Sequence, residues 1–310
     1  MVGGTVVNCT GVSTAGAAIT YIDTSPMDDV VDFYVTAPFA YMETGVRLHE
    51  GNDTFYGGEY IDVVHGGPGD DSLYGYGGKD WFFGEAGADR IPGGAGVDDV
   101  FYWTSPAGVI ADLDGSSFDD GTPGERDFLG SDIENLHGSP FDDTLIGNPL
   151  ENYLSGCGGN DRLYGLDGAD SFMGDNALDE CGPRGGDLMV GGNGIDRVNY
   201  WDRTANLLVE LGGSPGNDGE FGEGDTVGVD IEQIRAGYGN DVLIGSSLSN
   251  VIEGDLGNDV IYGLDGADKL YGEQGDDYLN GGNGGDALIG GDGADRCLPG
   301  SATEVTVDCE

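Results

Sequence analysis

The sequence predicts an all-β fold, a parallel β-roll of the β-solenoid class, from three observations. A nine-residue unit recurs through most of the chain, an apolar residue holds one fixed position in each unit, and a tandem duplication of about 98 residues overlies the short repeat. The unit reads G-G-x-G-x-D-x-U-x, with U apolar. Gly66-Gly67-Pro68-Gly69-Asp70-Asp71-Ser72-Leu73-Tyr74 is an intact copy.

Each position of the unit has a physical reading. Glycines at positions one, two and four permit a tight turn with close backbone approach and leave carbonyl oxygens uncovered. The sixth-position Asp adds a hard carboxylate suited to Ca²⁺, which takes roughly six to eight oxygen ligands in flexible geometry. In the short strand that follows, the eighth side chain points to one face and its neighbours to the other, so position eight builds the core.

Three runs keep this register. The first covers residues 48–101, with sixth-position Asp53, Asp62, Asp71, Asp80, Asp89 and Asp98 over inward Phe55, Val64, Leu73, Phe82, Ile91 and Val100. The second spans 138–199 and carries Asp143, Asp161, Asp170, Asp187 and Asp196. The third runs 236–298 with Asp241, Asp259, Asp268, Asp277, Asp286 and Asp295 over Leu243, Ile252, Ile261, Leu270, Leu279 and Leu288. These aspartates are the candidate metal ligands. Some units are degenerate: Leu150 and Asn152 replace the fourth Gly and sixth Asp of one, and Leu248 and Asn250 do so in another. Tyr60 and Phe141 also hold fourth positions, so these four turns are expected to be weak or metal-free.

Residues from about 84 to 176 match those from about 182 to 274 without a gap, as Gly96-Val97-Asp98 answers Gly194-Ile195-Asp196 and Asp132-Ile133-Glu134 answers Asp230-Ile231-Glu232. Each long unit joins a roll segment to a linker, 102–137 or 200–235. The linkers lack the Gly/Asp turn but keep apolar alternation, as in Val109-Ile110-Ala111-Asp112-Leu113, which predicts half-buried strands in wider coils without calcium. Residues 1–47 lack the unit and are rich in β-branched and aromatic residues around Val30-Val31-Asp32-Phe33-Tyr34-Val35, predicting a strand-rich cap on a roll that spans 48–298.

The nonapeptides resemble those of the RTX (repeats-in-toxin), or hemolysin-type calcium-binding, family, and the D-I-E-N-L elements of the linkers resemble those between RTX blocks of large secreted bacterial proteins. The resemblance covers roughly residues 48–298. It implies that two nonapeptides make one right-handed coil, so that each ion lies between stacked turns, with at most about 13 sites. It further implies that the ligands are the sixth-position aspartates of both turns together with backbone carbonyls. The carbonyl candidates are Gly67, Gly69, Gly78, Gly87, Gly96, Gly159, Gly168, Gly194, Gly257, Gly266, Gly275, Gly284 and Gly293. Asp71 with Asp89 and Asp259 with Asp277 are the leading carboxylate pairs.

Composition agrees with this picture. Lys+Arg number 11 against 58 Asp+Glu, a formal charge of −47 that opposes compaction of a metal-free roll. About 13 Ca²⁺ would reduce it to about −21, so metal binding and folding are expected to be coupled. The same charge excludes nucleic acid as a partner, and no apolar stretch approaches the length of a membrane span, so no membrane insertion is expected.

Cys297 occupies the eighth position of the last unit and Cys309 lies one residue from the end, so a disulfide between them would close residues 299–310 as a C-terminal cap. Cys157 and Cys181 lie two units apart, the latter within an insertion around Asn176–Arg184, and form the second candidate pair. Cys9 is odd, and a free thiol and an intermolecular link both stay open. Paired cysteines and a calcium requirement place the protein outside the cell or at its surface.

Enzyme signatures are missing from the sequence. His49, His65 and His137 make no H-E-x-x-H, and no G-x-S-x-G occurs. Carboxylate pairs such as Asp70-Asp71 recur with the turn, whereas a catalytic dyad is normally unique. The expected function is therefore non-enzymatic: a secreted calcium-binding β-roll with a structural or adhesive role, including self-assembly into filaments or a surface layer. Its partners beyond calcium would be its own copies or cell-surface polysaccharide. The alternative is a carbohydrate-active accessory module of a larger secreted enzyme such as an alginate epimerase. The duplicated Tyr102-Trp103 and Tyr200-Trp201 pairs could stack on sugars, but their place at the start of each linker favours packing.

Overall fold

A computed structural model describes residues 6–8, 19–32, 43–116, 119–175, 181–298, 300 and 305–309, and every described regular element is a β-strand. The chain forms two compact units, Met1–Asn148 and Pro149–Glu310. Cys9, residues 33–35 and residues 176–180 of the insertion lie outside the described residues.

In the first unit, one parallel stack runs through Val6–Asn8, Val30–Asp32, Thr54–Tyr56, Ser72–Tyr74, Arg90–Ile91 and Phe128–Leu129. A second runs through Ile19–Asp23, Glu43–Arg47, Ile61–Pro68, Trp81–Ala86, Asp99–Phe101 and Asn135–His137. Each strand pairs with the one two units on, as Thr54 faces Ser72, so two nonapeptides make one coil. Across the linker the step lengthens: Arg90 faces Phe128, and Asp99 faces Asn135. The linker thus contributes strands to both stacks. Ile110–Asp112 from its middle pairs with Thr144–Ile146.

The second unit repeats this logic. Tyr153–Cys157, Ser171–Asp175, Arg197–Asn199, Gln233–Arg235, Val251–Glu253, Lys269–Gln274, Ala287–Asp292 and Val305–Val307 form one parallel stack. Leu207–Glu210, Val242–Ile244, Val260–Tyr262, Tyr278–Asn280 and Arg296–Leu298 form another. Between Arg162 and its partner Leu188 the step holds the insertion, and the Cys157–Cys181 disulfide ties that insertion to the preceding coil. The Cys297–Cys309 disulfide holds the tail so that Val305–Val307 adds one more parallel strand, with Val305 and Val307 exposed.

The eighth-position residues supply the core of each unit. Phe55, Val64, Leu73 and Phe82 in the first, and Ile252, Ile261, Leu270, Leu279 and Leu288 in the second, are fully buried. Flanking strand positions are half-buried, as in Tyr278–Asn280 around Leu279, which is the period-two alternation a thin roll requires. Each core rung stacks directly on like rungs, so a truncation leaves a cavity that a parallel sheet cannot close. Replacing Leu270 by Ala is therefore expected to cost about 2–5 kcal/mol of unfolding free energy with calcium present. Denaturant unfolding measures it, and the partner change Lys269→Ala, on the outer face, is expected to shift the midpoint far less.

Candidate metal centres

The turns bring the sixth-position aspartates into files. Within a file, the backbone N–H of each Asp donates to Oδ1 of the Asp one coil on. The first unit holds Asp53 to Asp71 (2.8 Å), Asp71 to Asp89 (2.9 Å), Asp62 to Asp80 (2.9 Å) and Asp80 to Asp98 (2.9 Å). In the second unit the same bond links Asp161 to Asp187, Asp170 to Asp196, Asp241 to Asp259, Asp259 to Asp277, Asp277 to Asp295 and Asp268 to Asp286, at 2.8–3.0 Å. All of these carboxylates are nearly or fully buried.

The second oxygen divides the turns into two kinds. Oδ2 of Asp53, Asp71, Asp80, Asp89, Asp98, Asp170, Asp196, Asp259, Asp268, Asp277, Asp286 and Asp295 is buried and accepts no hydrogen bond. In every one of these units the second residue is left-handed, whether it is Gly67, Gly94 or Gly192 or a side-chain-bearing residue such as His49, Tyr76, Glu85, Leu166, Asp255, Leu264 or Glu273. We call these turns open. Non-glycine residues in this region cost about 1–3 kcal/mol each, and their recurrence at one position shows that the surrounding coil imposes the conformation.

The other turns are closed. Here the residue four before the carboxyl group donates its backbone N–H into it. Gly58 donates to Asp62 Oδ2 (3.1 Å), Ser139 to Asp143 Oδ2 (2.5 Å) and Gly237 to Asp241 Oδ2 (3.5 Å), and Ser246 donates to the Asn250 amide oxygen (2.7 Å). Asp143 also accepts from the Ser139 hydroxyl and from the Val109 N–H, leaving neither oxygen free for an ion. None of Gly58, Ser139, Gly237 and Ser246 is left-handed. Tyr60, Phe141 and Leu248 at position four mark three of these turns. Asp241 does not fit that mark, because its unit keeps Gly239. Asp62, Asp143 and Asp241, all grouped with the other aspartates on sequence grounds, thus stand apart in geometry.

Carbonyl oxygens converge on the unpartnered carboxylate oxygens. A Cβ placed on Gly272 would fall between Asp277 Oδ2 and the carbonyl oxygen of Gly290, and one on Gly254 would meet Asp259 Oδ2 and the Gly272 carbonyl. The first-position glycine is small because this space belongs to oxygen atoms. Sequence reasoning missed these first-position carbonyls, favouring the second and fourth positions. Of those, Gly67, Gly69, Gly78, Gly87, Gly96, Gly159, Gly168, Gly194, Gly257, Gly266, Gly275 and Gly293 all have φ between +103° and +158°. The fourth-position glycines pack in file, with Gly87 against the Gly69 carbonyl, Gly275 against that of Gly257 and Gly284 against that of Gly266. Among the described residues no three His, Cys, Asp or Glu side chains converge as a metal-binding group. A cation here needs backbone oxygen beside the stacked carboxylates, which is the hard, all-oxygen donor set that Ca²⁺ prefers.

Sequence reasoning also missed how the files that run into a linker end. The linkers supply its last carboxylates: Asp89 donates to Asp127 and Asp98 to Glu134, and, in the second unit, Asp187 donates to Asp225 and Asp196 to Glu232. The other Asp127 oxygen accepts the Tyr102 hydroxyl (3.2 Å), and Asp225 accepts that of Tyr200 (2.9 Å). A buried phenol thus satisfies the linker carboxylate, and both tyrosines are packing residues. The signal was present as Asp127 and Asp225 in the duplicated Gly-Glu-x-Asp, but its spacing differs from the nonapeptide. At the other end, Asp29 accepts the backbone N–H of Ser25 and receives no left-handed turn, while its own N–H donates to Asp53 Oδ1.

Electrostatics follow from this crowding. Burial, reinforced by neighbouring carboxylates and opposed by the backbone N–H, pushes Asp71, Asp170 and Asp259 up to about 7 and Asp80 and Asp89 up to about 8. Asp53, Asp98, Asp268 and Asp277 rise to about 6. Carboxyl groups whose folded pKa exceeds the unfolded value near 4 favour the fold while protonated. Their contribution is complete below about pH 4 and is lost as pH rises through about 6 to 8. Chelator-stripped protein is therefore expected to melt at a higher temperature at pH 5 than at pH 8, followed by circular dichroism. Saturating Ca²⁺ is expected to reverse the slope, because protons then compete with the metal; a melting temperature independent of pH without metal would contradict the buried ladder.

Comparison with known proteins gives one family. A family model described as RTX calcium-binding nonapeptide repeat (4 copies) matches residues 49–82, 74–103, 128–149, 147–179, 228–261, 244–279 and 271–301, more than half of the chain. A search of curated proteins found no match.

Proposed function

The chain belongs to the RTX calcium-binding nonapeptide repeat family, and from that premise we propose that it is a non-enzymatic extracellular scaffold whose fold is assembled by calcium. The observation that carries this reading is the file of buried carboxylate oxygens without hydrogen-bond partners in the open turns. Such oxygens are expensive to bury unless a cation meets them. The residues fit Ca²⁺ in the open turns, where Asp carboxylates of successive coils and first-position glycine carbonyls would hold it. The bound ion would supply the positive charge that lets these carboxylates stay ionised in the fold.

Counting only coils in which two open turns stack gives seven pairs: Asp53/Asp71, Asp71/Asp89, Asp80/Asp98, Asp170/Asp196, Asp259/Asp277, Asp277/Asp295 and Asp268/Asp286. Asp161/Asp187 makes the same backbone bond across the expanded turn, whose second residue Asp175 is not left-handed, and is not counted. This reading replaces the upper bound of about 13 drawn from the repeat count alone. The closed turns around Asp62, Asp143 and Asp241, the Asn152 and Asn250 that replace sixth-position aspartates, and the expanded turn before Asp187 account for the difference.

Several features support a scaffold over an enzyme. The buried, raised-pKa carboxylates recur with the turn, whereas catalytic carboxylates are singled out by a unique environment. Two disulfides suit an oxidising compartment. Among the described residues no helix is long and apolar enough to cross a membrane.

Calcium titration of chelator-stripped protein, with circular dichroism and light scattering read together, tests the proposal. A gain of β-structure with growing particles supports an assembling scaffold. The same gain without growth restricts the role to a folded module, and no gain overturns calcium-driven folding. The double change Asp259→Asn with Asp277→Asn is expected to lower calcium stoichiometry by about two, whereas Asp143→Asn is expected to leave it unchanged. Equal losses from both would refute the distinction between open and closed turns.

A further inference from the structure

The two copies of the long repeat differ where each linker begins. In the first copy Trp103 lies edge-on to Phe83, Phe101 and His137, with ring centroids 6.2, 4.7 and 5.9 Å away. In the second copy the residues matching Phe101 and His137 are Asn199 and Arg235. Trp201 loses those flanking rings and is 49% exposed. The exposed indole instead borders a polar recess.

That recess has a volume of about 240 Å³ and is lined by Trp201, Arg235, Tyr238, Asp255, Glu273 and Gln274, among others. Tyr238 is itself 51% exposed. Successive turns build the floor: Leu256 N–H donates to the Gly237 carbonyl (3.0 Å) and Gln274 N–H to that of Asp255 (2.9 Å). Arg235 is fixed by Asp255 (2.8 Å), and its guanidinium edge stays partly exposed. Asp255 and Glu273 are the left-handed second residues of the open turns that carry Asp259 and Asp277. The recess therefore lies on the same turns as two candidate metal pairs.

Its chemistry points to a ligand class. Asp255 and Glu273, in a chain of formal charge −47, disfavour an anion, and Arg235 offsets the Asp255 carboxylate it is paired with. The mixture of donors and acceptors from Arg235, Asp255, Glu273 and Gln274 beside Trp201 and Tyr238 fits a neutral ring with an apolar face and a rim of hydroxyls that both donate and accept. The volume is below the ~300–1,000 Å³ of sites for drug-sized ligands, which suits a single ring. We propose that this recess binds one neutral pyranose unit of a polysaccharide. The inference rests on the calcium-assembled reading above, because the open turns shape the floor.

Isothermal titration calorimetry of the full chain in CaCl₂ tests it, with cellohexaose and maltohexaose as neutral probes and hexagalacturonate and tetramethylammonium as charged ones. Circular dichroism of the same samples, with and without calcium, reads the folding proposal separately. Saturable binding of a neutral hexasaccharide, weakened about tenfold or more by Trp201→Ala and also weakened by Tyr238→Ala in variants that keep the β-signal, is the expected result. No saturation with either neutral probe in folded protein overturns the proposal. So does saturation by a charged probe alone, or affinity for the neutral probe that neither substitution changes.

Discussion

A buried carboxylate with one oxygen held and the other exposed only to neighbouring oxygens is the constraint on which the rest of this structure depends. The backbone N–H of one aspartate fixes Oδ1 of the next along the file, so register between coils and orientation of the carboxyl group are set by the same bond. Oδ2 is then carried into a space bordered by glycine carbonyls. Removing a carboxylate from water without a partner is costly, and repeating the arrangement along several files makes the metal-free fold self-repelling. The apolar rungs at position eight cannot offset this alone, because each coil contributes only a thin core. Fold and metal affinity are thus one property of the turn.

The open and closed turns show how that property is switched on or off locally. When the second residue is left-handed, the carboxylate oxygen meets no N–H from the residue four back; at Asp62, Asp143, Asp241 and Asn250, where it is not, an N–H four residues back takes the side-chain oxygen. The closed form occurs where a nonapeptide follows a linker, at Asp143 and Asp241, and where position four carries a bulky side chain. At the opposite ends of the files, Tyr102 and Tyr200 place a neutral hydroxyl on the linker carboxylate. A neutral hydroxyl thus meets the carboxylate that ends the ladder, and each linker is hydrogen-bonded into the roll through it.

Duplication supplied two copies of this plan, and substitution then separated them. Where the first copy has Ser105, the second has Arg203, a buried guanidinium 2.8 Å from Glu223 and close to Asp175 and Asp202. In the second copy a permanent side-chain cation thus neutralises an acidic cluster beside the disulfide-bonded insertion. Burial and Asp187 still hold the Asp175 carboxyl at about 9 despite Arg203. The same copy turns Trp201 outward. Duplicated scaffolding allows such divergence because the stacking bonds lie in the backbone and in the sixth and eighth positions, leaving the remaining side chains free to vary.

The nonapeptide period determined by itself the inward eighth position and the sixth-position aspartates, because each follows from counting residues along the repeat. Leu279 and Asp277 were legible for that reason. The two-unit coil, and with it the aspartate files, followed from the resemblance to RTX repeats, and the Cys297–Cys309 pairing from the place of the tail after the last unit. Counting could not tell which aspartates keep an oxygen available, since that depends on the backbone conformation of a residue four positions earlier, and Asp241 shares its local motif with true open turns. Nor could it show Asp127 and Asp225 ending the files, because the linkers break the nine-residue spacing and only the paired strands bring those carboxylates under Asp89 and Asp187. Trp103 and Trp201 occupy the same place in a duplicated sequence, and only tertiary packing made one part of a half-buried aromatic cluster and the other a surface ring, since their neighbours come from strands distant in the chain.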